Sequence, residues 1–133
     1  MFSVDPLDPT PLYAQLERAI RAAIAAGKLR VGDKLPTVRQ LAVDLRINAN
    51  TVAKVYAELE RAGVLATQRG IGTFVRDTPT PAGPTTRRDR ERELRSLVER
   101  LLADASAIGI SATEILQYLE SLVARATTAK EKT

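Results

Sequence analysis

The chain has 133 residues, 44% of them hydrophobic and 4% aromatic, with a formal charge of +4 at neutral pH. That length suits one compact domain with an appendage, its core resting on Leu, Ile, Val and Ala. With neither cysteine nor histidine in the sequence, disulfides, thiol redox sensing and Cys/His zinc sites are excluded, and no apolar run approaches the roughly 20 residues of a membrane span.

A first helix is predicted with Thr10 as its cap and Pro11 in its first position, where a missing N–H costs nothing. Leu12, Leu16, Ala19, Ile20, Ala23 and Ile24 form its apolar stripe, and Gly27 ends it. The second helix has Val38, Leu41, Ala42 and Leu45 at i, i+3, i+4, i+7 spacing, so one face is buried. Thr37 and Gln40 stand three apart at its start and can form a capping box, while Pro36 prevents backward extension. A third helix repeats the stripe at Val52, Val55, Tyr56 and Leu59, starts behind Asn48 as N-cap, and stops at Gly63. Between these stripes lie only Arg46, Ile47 and Asn48, a turn short enough to force a steep crossing with Ile47 as its plug.

Residues 65–69 and 73–76 are partly alternating runs on either side of Gly70-Ile71-Gly72, the pattern of a β-hairpin. A helix-turn-helix followed at once by a hairpin is a winged helix-turn-helix. Residues 77–85 then hold three prolines and a glycine, which reads as a linker. A long helix follows from about Thr86 to Ile108, with Leu94, Leu97, Val98, Leu101, Leu102, Ala105 and Ile108 on one side. Gly109 closes it. Ser111 and Glu114 are spaced for a second capping box, opening a last helix with Ile115, Leu116, Leu119, Leu122 and Val123. The charged run Arg87 to Arg95 is of mixed sign and reads as a solvated helix start, with Glu91 and Arg95 at favourable i, i+4 spacing.

The expected fold is therefore mainly α with a small β-hairpin wing. It comprises a DNA-binding domain over residues 1–76, a Pro-rich linker over 77–85 and a two-helix dimerisation tail over 86–133. Charge follows the same division: residues 1–76 hold 11 Lys and Arg against 7 Asp and Glu, while residues 77–133 hold 9 of each. All of the cation excess lies in the winged half. It is small, so tight binding to a phosphate backbone should need two copies.

With Val52, Val55, Tyr56 and Leu59 facing the core, the third helix presents Asn48, Asn50, Thr51 and Lys54 at its outer N-terminal end. A recognition helix sets such residues against base edges in the major groove, where Asn matches an adenine edge at two points and Thr offers a methyl or hydroxyl. Lys54 reaches a base or a phosphate. Gly70, without a Cβ, lets the wing approach the sugar-phosphate backbone, Arg69 supplies a cation to a phosphate or a narrow minor groove, and Arg39 is placed for the backbone or a guanine. Taken singly, Thr51, Lys54 and Arg69 are ordinary solvated residues, and Asn48 as a pure cap contributes about 1 kcal/mol. The conjunction of caps, short turn, polar helix face and glycine wing is what points to nucleic acid.

These residues resemble the winged helix-turn-helix of the GntR family of bacterial transcription regulators. Leu35-Pro36, Arg39, Leu41-Ala42, Thr51-Val52, Leu59-Glu60, Gly63, Gly70 and Gly72-Thr73-Phe74-Val75 stand as the family pattern has them. Upstream, Pro11-Leu12-Tyr13 with Gln15-Leu16 and Ala26 to Leu29 resembles the first helix and its exit, so the likeness covers about residues 9–76. The run from Asn48 to Lys54 is closer to the YtrA-type subfamily and to the DNA-binding part of MocR-type regulators. The resemblance implies that Arg39 is a DNA-contacting arginine, Thr51 the family threonine and Gly70 the wing-tip glycine. Where many relatives carry arginines around that threonine, this chain has Ala49, Asn50 and Ala53, so the operator of arginine-bearing relatives does not carry over.

The tail's two stripes are too wide to be buried on each other, which predicts a two-fold homodimer through Leu94, Leu97, Val98, Leu101, Leu102, Ile115, Leu116, Leu119 and Leu122. The expected function is a sequence-specific transcription regulator, acting as a homodimeric repressor on an inverted-repeat operator through residues 49–62 and the wing at 69–73. The alternative is a winged-helix protein-interaction module without specific DNA binding, to which Ala49 and Ala53 lend weight. An enzyme is not expected, because without His or Cys no nucleophile-and-base set clusters, and the aminotransferase domain of MocR-type proteins is absent. No cofactor is expected. The tail is too short to enclose an ordinary ligand pocket, so a small-molecule effector would sit at the dimer interface or between tail and winged domain. No signal peptide is read around Asp5 and Asp8, and a cytoplasmic location follows.

Overall fold

The computed structural model describes residues 2–77 and 86–131, with side chains given as far as residue 125. The predicted linker, apart from Asp77 at its start, lies outside the described residues. Two compact units emerge, residues 1–78 and 79–133.

The first unit contains α1 (Leu12–Ala25), α2 (Val38–Leu45), α3 (Ala49–Arg61), β1 (Leu65–Gln68) and β2 (Gly72–Val75). The predicted stripes converge: Leu16 and Ile20 of α1, Val52 and Leu59 of α3 and Leu65 of β1 are fully buried, with Leu41, Ala42, Val55, Tyr56 and Val75 around them. At about 25 cal/mol per Å² of apolar surface, burial of this set is what holds the unit together.

The start of α1 differs from expectation. Pro11 has an extended backbone (ψ 144°) and itself stands at the N-cap, while the Thr10 side chain caps nothing. The reason is the segment before it. Gln15 Nε2 donates to the carbonyls of Thr10 (2.8 Å) and Asp5 (2.9 Å), its Oε1 accepts from Asp5 N–H (2.7 Å), and Thr10 N–H donates to Asp8. That last bond holds the Asp8 carboxyl below the usual carboxylate range. The arm so fixed delivers Phe2 into the core, with Val4 against it.

At α2 the capping box is complete, with Gln40 N–H on Thr37 Oγ1 (3.1 Å) and Thr37 N–H on Gln40 Oε1 (2.9 Å). The helix ends where Arg46 turns left-handed (φ 58°), letting Ile47 N–H close on the Ala42 carbonyl at 3.0 Å. This is a Schellman closure with an arginine in the position glycine usually takes. Helix α3 ends the same way at Gly63, where Val64 N–H meets the Leu59 carbonyl.

Strands β1 and β2 pair antiparallel, from Leu65 with Val75 to Gln68 with Gly72. Gly70 (φ 78°) provides the reversal that an L-residue would resist. A third strand-like segment was not predicted: Leu35 N–H donates to Thr73 O, Val75 N–H to Asp33 O, and Lys34 bridges Phe74. The loop between α1 and α2 therefore completes the wing's sheet.

In the second unit, α4 (Arg87–Ala107) starts on a Thr86 cap to Asp89 N–H, and α5 (Ala112–Glu131) on Ser111. Here the predicted box is only half formed. Glu114 N–H donates to Ser111 Oγ at 3.2 Å, but the Glu114 carboxylate accepts from the Ser111 hydroxyl instead of its backbone N–H. On α4, Glu91 pairs with Arg87 at 3.4 Å and not with Arg95, an exposed pair of little energetic weight. Among the described residues of this unit, Ala105 is the buried hydrophobic one.

Candidate nucleic-acid interface

The N-terminus of α3 is set by Asn48, whose Oδ1 accepts from Asn50 N–H at 2.8 Å. That bond commits one atom of Asn48 to the cap and leaves its amide donors exposed. One turn on, Val52, Val55 and Tyr56 are buried, so Asn50, Ala53 and Lys54 face outward and Thr51 is half-buried beside them. The core stripe thus fixes which side chains of α3 face outward. Tyr56 adds a pin, because its hydroxyl donates to the Pro36 carbonyl at 2.7 Å and ties α3 to the start of α2. Burial pushes the Tyr56 phenol up to about 12.

The wing is tied to the same helix. Thr67 Oγ1 donates to Glu60 Oε2 of α3 at 3.2 Å and lies 3.3 Å from Thr73 Oγ1 across the strands. Arg69 and Gly70 stand exposed at the hairpin tip, and a Cβ added at Gly70 would meet nothing within 4 Å. Its role is therefore backbone conformation and free approach, not internal packing. Arg39 is exposed on α2, on the rim of an open hollow of about 460 Å³ that also involves Pro36, Gln40, Val43 and Asp44.

The sequence signature described as bacterial regulatory proteins, gntR family, matches residues 12–75, the span of this winged unit from α1 to β2. Over 124 residues the chain is 32% identical to the HTH-type transcriptional repressor YtrA of Bacillus subtilis, covering 93% of each protein. The chain belongs to the GntR family. Among solved structures, YtrA from Sulfolobus acidocaldarius, a GntR-family transcription factor, is 33% identical with a TM-score of 0.55, covering 75% of this chain and 95% of that one. The DNA-binding domain of AraR in complex with operator ORX1 is 30% identical with a TM-score of 0.51, covering 56% of this chain and 95% of that one. YtrA-type likeness therefore extends through the tail, while the likeness to the operator-bound domain is confined to about the winged half. The curated relatives are named as transcriptional regulators and repressors, and this GntR protein is a regulator, not an enzyme.

The predicted contact residues fall on adjoining elements of this GntR unit: Asn48, Asn50, Thr51 and Lys54 on or beside α3, Arg69 and Gly70 on the wing, Arg39 on α2. Two neighbours of that surface escaped the sequence reading. Lys34 runs along the wing so that its Cε lies 2.6 Å from where a Gly72 Cβ would stand, which makes Gly72 a notch for the lysine stem. Tyr13 of α1 lies under Lys54, with the ammonium 5.3 Å from the ring centroid. Neither contact follows a period or a motif. Among the described residues no helix is long and apolar enough to cross a membrane.

Proposed function

We propose that the protein is a homodimeric transcriptional repressor that binds an inverted-repeat operator with two copies of this surface. That it is a DNA-binding transcription regulator follows from its family. The observation that carries the finer reading is the exposed polar turn at the start of α3, held by the Asn48 cap and flanked by the glycine wing. In it, Asn50 and Thr51 read base edges, Asn48 offers its amide, Lys54 and Lys34 supply charge beside them, Arg39 meets the backbone or a guanine, and Arg69 a phosphate or a narrow minor groove. Gly70 allows the wing backbone to approach the duplex.

Dimerisation is supported by the tail. Leu94, Leu97, Val98, Leu101, Leu102, Leu116 and Leu119 are 37–60% exposed, and Ile115 and Leu122 are half-buried. Such a stripe needs covering, and an identical tail on a two-fold axis places two recognition helices on one face of the duplex. Division into a DNA-binding part at 1–76, a linker at 77–85 and a tail at 86–133 belongs to this reading, as does a cytoplasmic location beside the chromosome. A small-molecule effector would bind at the dimer interface.

Selection of bound sites from a random DNA pool tests the proposal. The expected product is an inverted repeat with half-sites about one helical turn, or a multiple of one, apart. Thr51→Ala should weaken binding to it by about 1–3 kcal/mol and relax one half-site position. A pool in which no sequence is enriched would instead leave a protein-interaction module.

A further inference from the structure

Lys54 projects from the reading helix, yet its ammonium rests over an aromatic ring on another element, Tyr13 of α1, at 5.3 Å. A cation within about 6 Å of a ring face is held there by the ring quadrupole. Tyr13 is 48% exposed, so this is a ring at the surface and not a core residue that happens to lie close. Lys54 follows Asn50 by one turn on the same exposed side of α3, and a free lysine there would swing through many rotamers, some reaching the groove floor. Tyr13 narrows that freedom. It draws the charge sideways toward α1, off the tip formed by Asn50 and Thr51.

We infer that Tyr13 is a positioning residue that assigns Lys54 to the phosphate backbone at the groove edge, so that Lys54 contributes affinity and no base preference. The inference rests on the operator reading above. In this arrangement the first turns of an arginine-poor helix read bases with neutral side chains only, and the one cation of those turns, Lys54, is held from outside by Tyr13. The ring also presents its flank beside the ammonium, so the pair meets the duplex as a preformed contact and little side-chain entropy remains to be lost on binding.

The test uses the full chain, the duplex selected by the wild type and a scrambled duplex of equal length. Lys54→Met should weaken both duplexes by the same factor and lower the slope of log affinity against log salt by about 0.9 for each subunit. Tyr13→Leu should weaken both by about two- to fivefold per subunit. Added to Lys54→Met it should do nothing further, and Tyr13→Phe should restore wild-type binding. In the free protein the Lys54 ε-methylene protons should be shifted upfield by the ring, and lose that shift in Tyr13→Leu. Thermal melting shows whether each variant is folded, and the exposed Lys54→Met carries the slope measurement if Tyr13→Leu is not. A changed base preference in Lys54→Met, or additive effects of the two substitutions, overturns the inference while leaving the operator reading intact. Failure of the wild type to select any sequence overturns both.

Discussion

In the winged unit every element sends residues to one core, from Phe2 through Leu16, Leu41, Val52 and Leu59 to Val75, whereas in the tail Ala105 is the buried hydrophobic among the described residues. Both units have apolar stripes at helical spacing, so pattern alone does not distinguish them. What differs is the number of stripes that meet. Three helices and a sheet enclose a volume, while α4 and α5 leave most of their leucines open. A unit of the first kind carries its own stability; one of the second kind presupposes a covering surface.

Replacing one leucine in each unit breaks this comparison most forcefully. Leu59 is fully buried, and Leu59→Ala should lower the unfolding free energy of the winged unit by about 2–5 kcal/mol, read as a fall in urea midpoint at unchanged slope. Leu101 is 45% exposed, and Leu101→Asp should leave that transition in place. Its effect should appear in sedimentation at micromolar concentration, as a shift from dimer mass to monomer mass. If the wild type already sediments as a monomer, the tail's stripe has another use and the dimer is wrong.

How far the sequence foretold these units depends on whether the signal is local. The stripes of α1, α2 and α3, the Thr37–Gln40 box, the Asn48 cap and the glycine stops are set within a few residues, and the structure has them where the spacing placed them. The strand-like segment at residues 32–35 has no alternation and sits between Gly32 and Pro36, so it reads as a loop. It becomes strand-like only because β2 offers it the Thr73 carbonyl and the Val75 N–H. Likewise Thr10 was a sound cap by residue type, but Gln15 and Asp8 had already taken the local hydrogen bonds. The outward phase of Asn50 and Lys54 on α3 is legible because helix periodicity fixes it; Lys34 at the wing and Tyr13 under Lys54 are not, because each depends on segments far apart in the chain.

A smaller effect sharpens the contrast through two tyrosines. Tyr56 in the winged unit is buried and donates to the Pro36 carbonyl, while Tyr118 in the tail is 61% exposed. Tyr56→Phe leaves that carbonyl without its partner and should cost about 1 kcal/mol at neutral pH, whereas Tyr118→Phe should stay within about 0.5 kcal/mol of wild type. The pH dependence follows from the raised phenol. Its ordinary value is 10.0 and its folded value about 12, so between these the unfolded chain has released a proton that the native state still holds. Stability is therefore fully present below pH 10.0 and lost as pH rises through about 12. Tyr56→Phe should abolish that part of the alkaline slope, measured by denaturation at stepped pH.

The smallest expected change concerns how helices end in the two units. After α4, Gly109 takes the left-handed position (φ 79°) and Ile110 N–H closes on the Ala105 carbonyl at 2.9 Å. After α2 the same closure is made with Arg46 at φ 58°. A left-handed L-residue costs roughly 1–2 kcal/mol, and replacing it by glycine costs about 0.5–1 kcal/mol in added freedom of the unfolded chain. The difference favours glycine. Because Arg46 is exposed and α2 is already anchored by the Thr37–Gln40 box and the Ile47 closure, Arg46→Gly should stabilise the winged unit by up to about 1 kcal/mol. Thermal melting reads this as a rise in midpoint, and the mass in sedimentation should not move. A lowered midpoint would mean that the arginine side chain contributes a contact outweighing its backbone strain, and the turn between α2 and α3 would then depend on its side chain as well as its backbone.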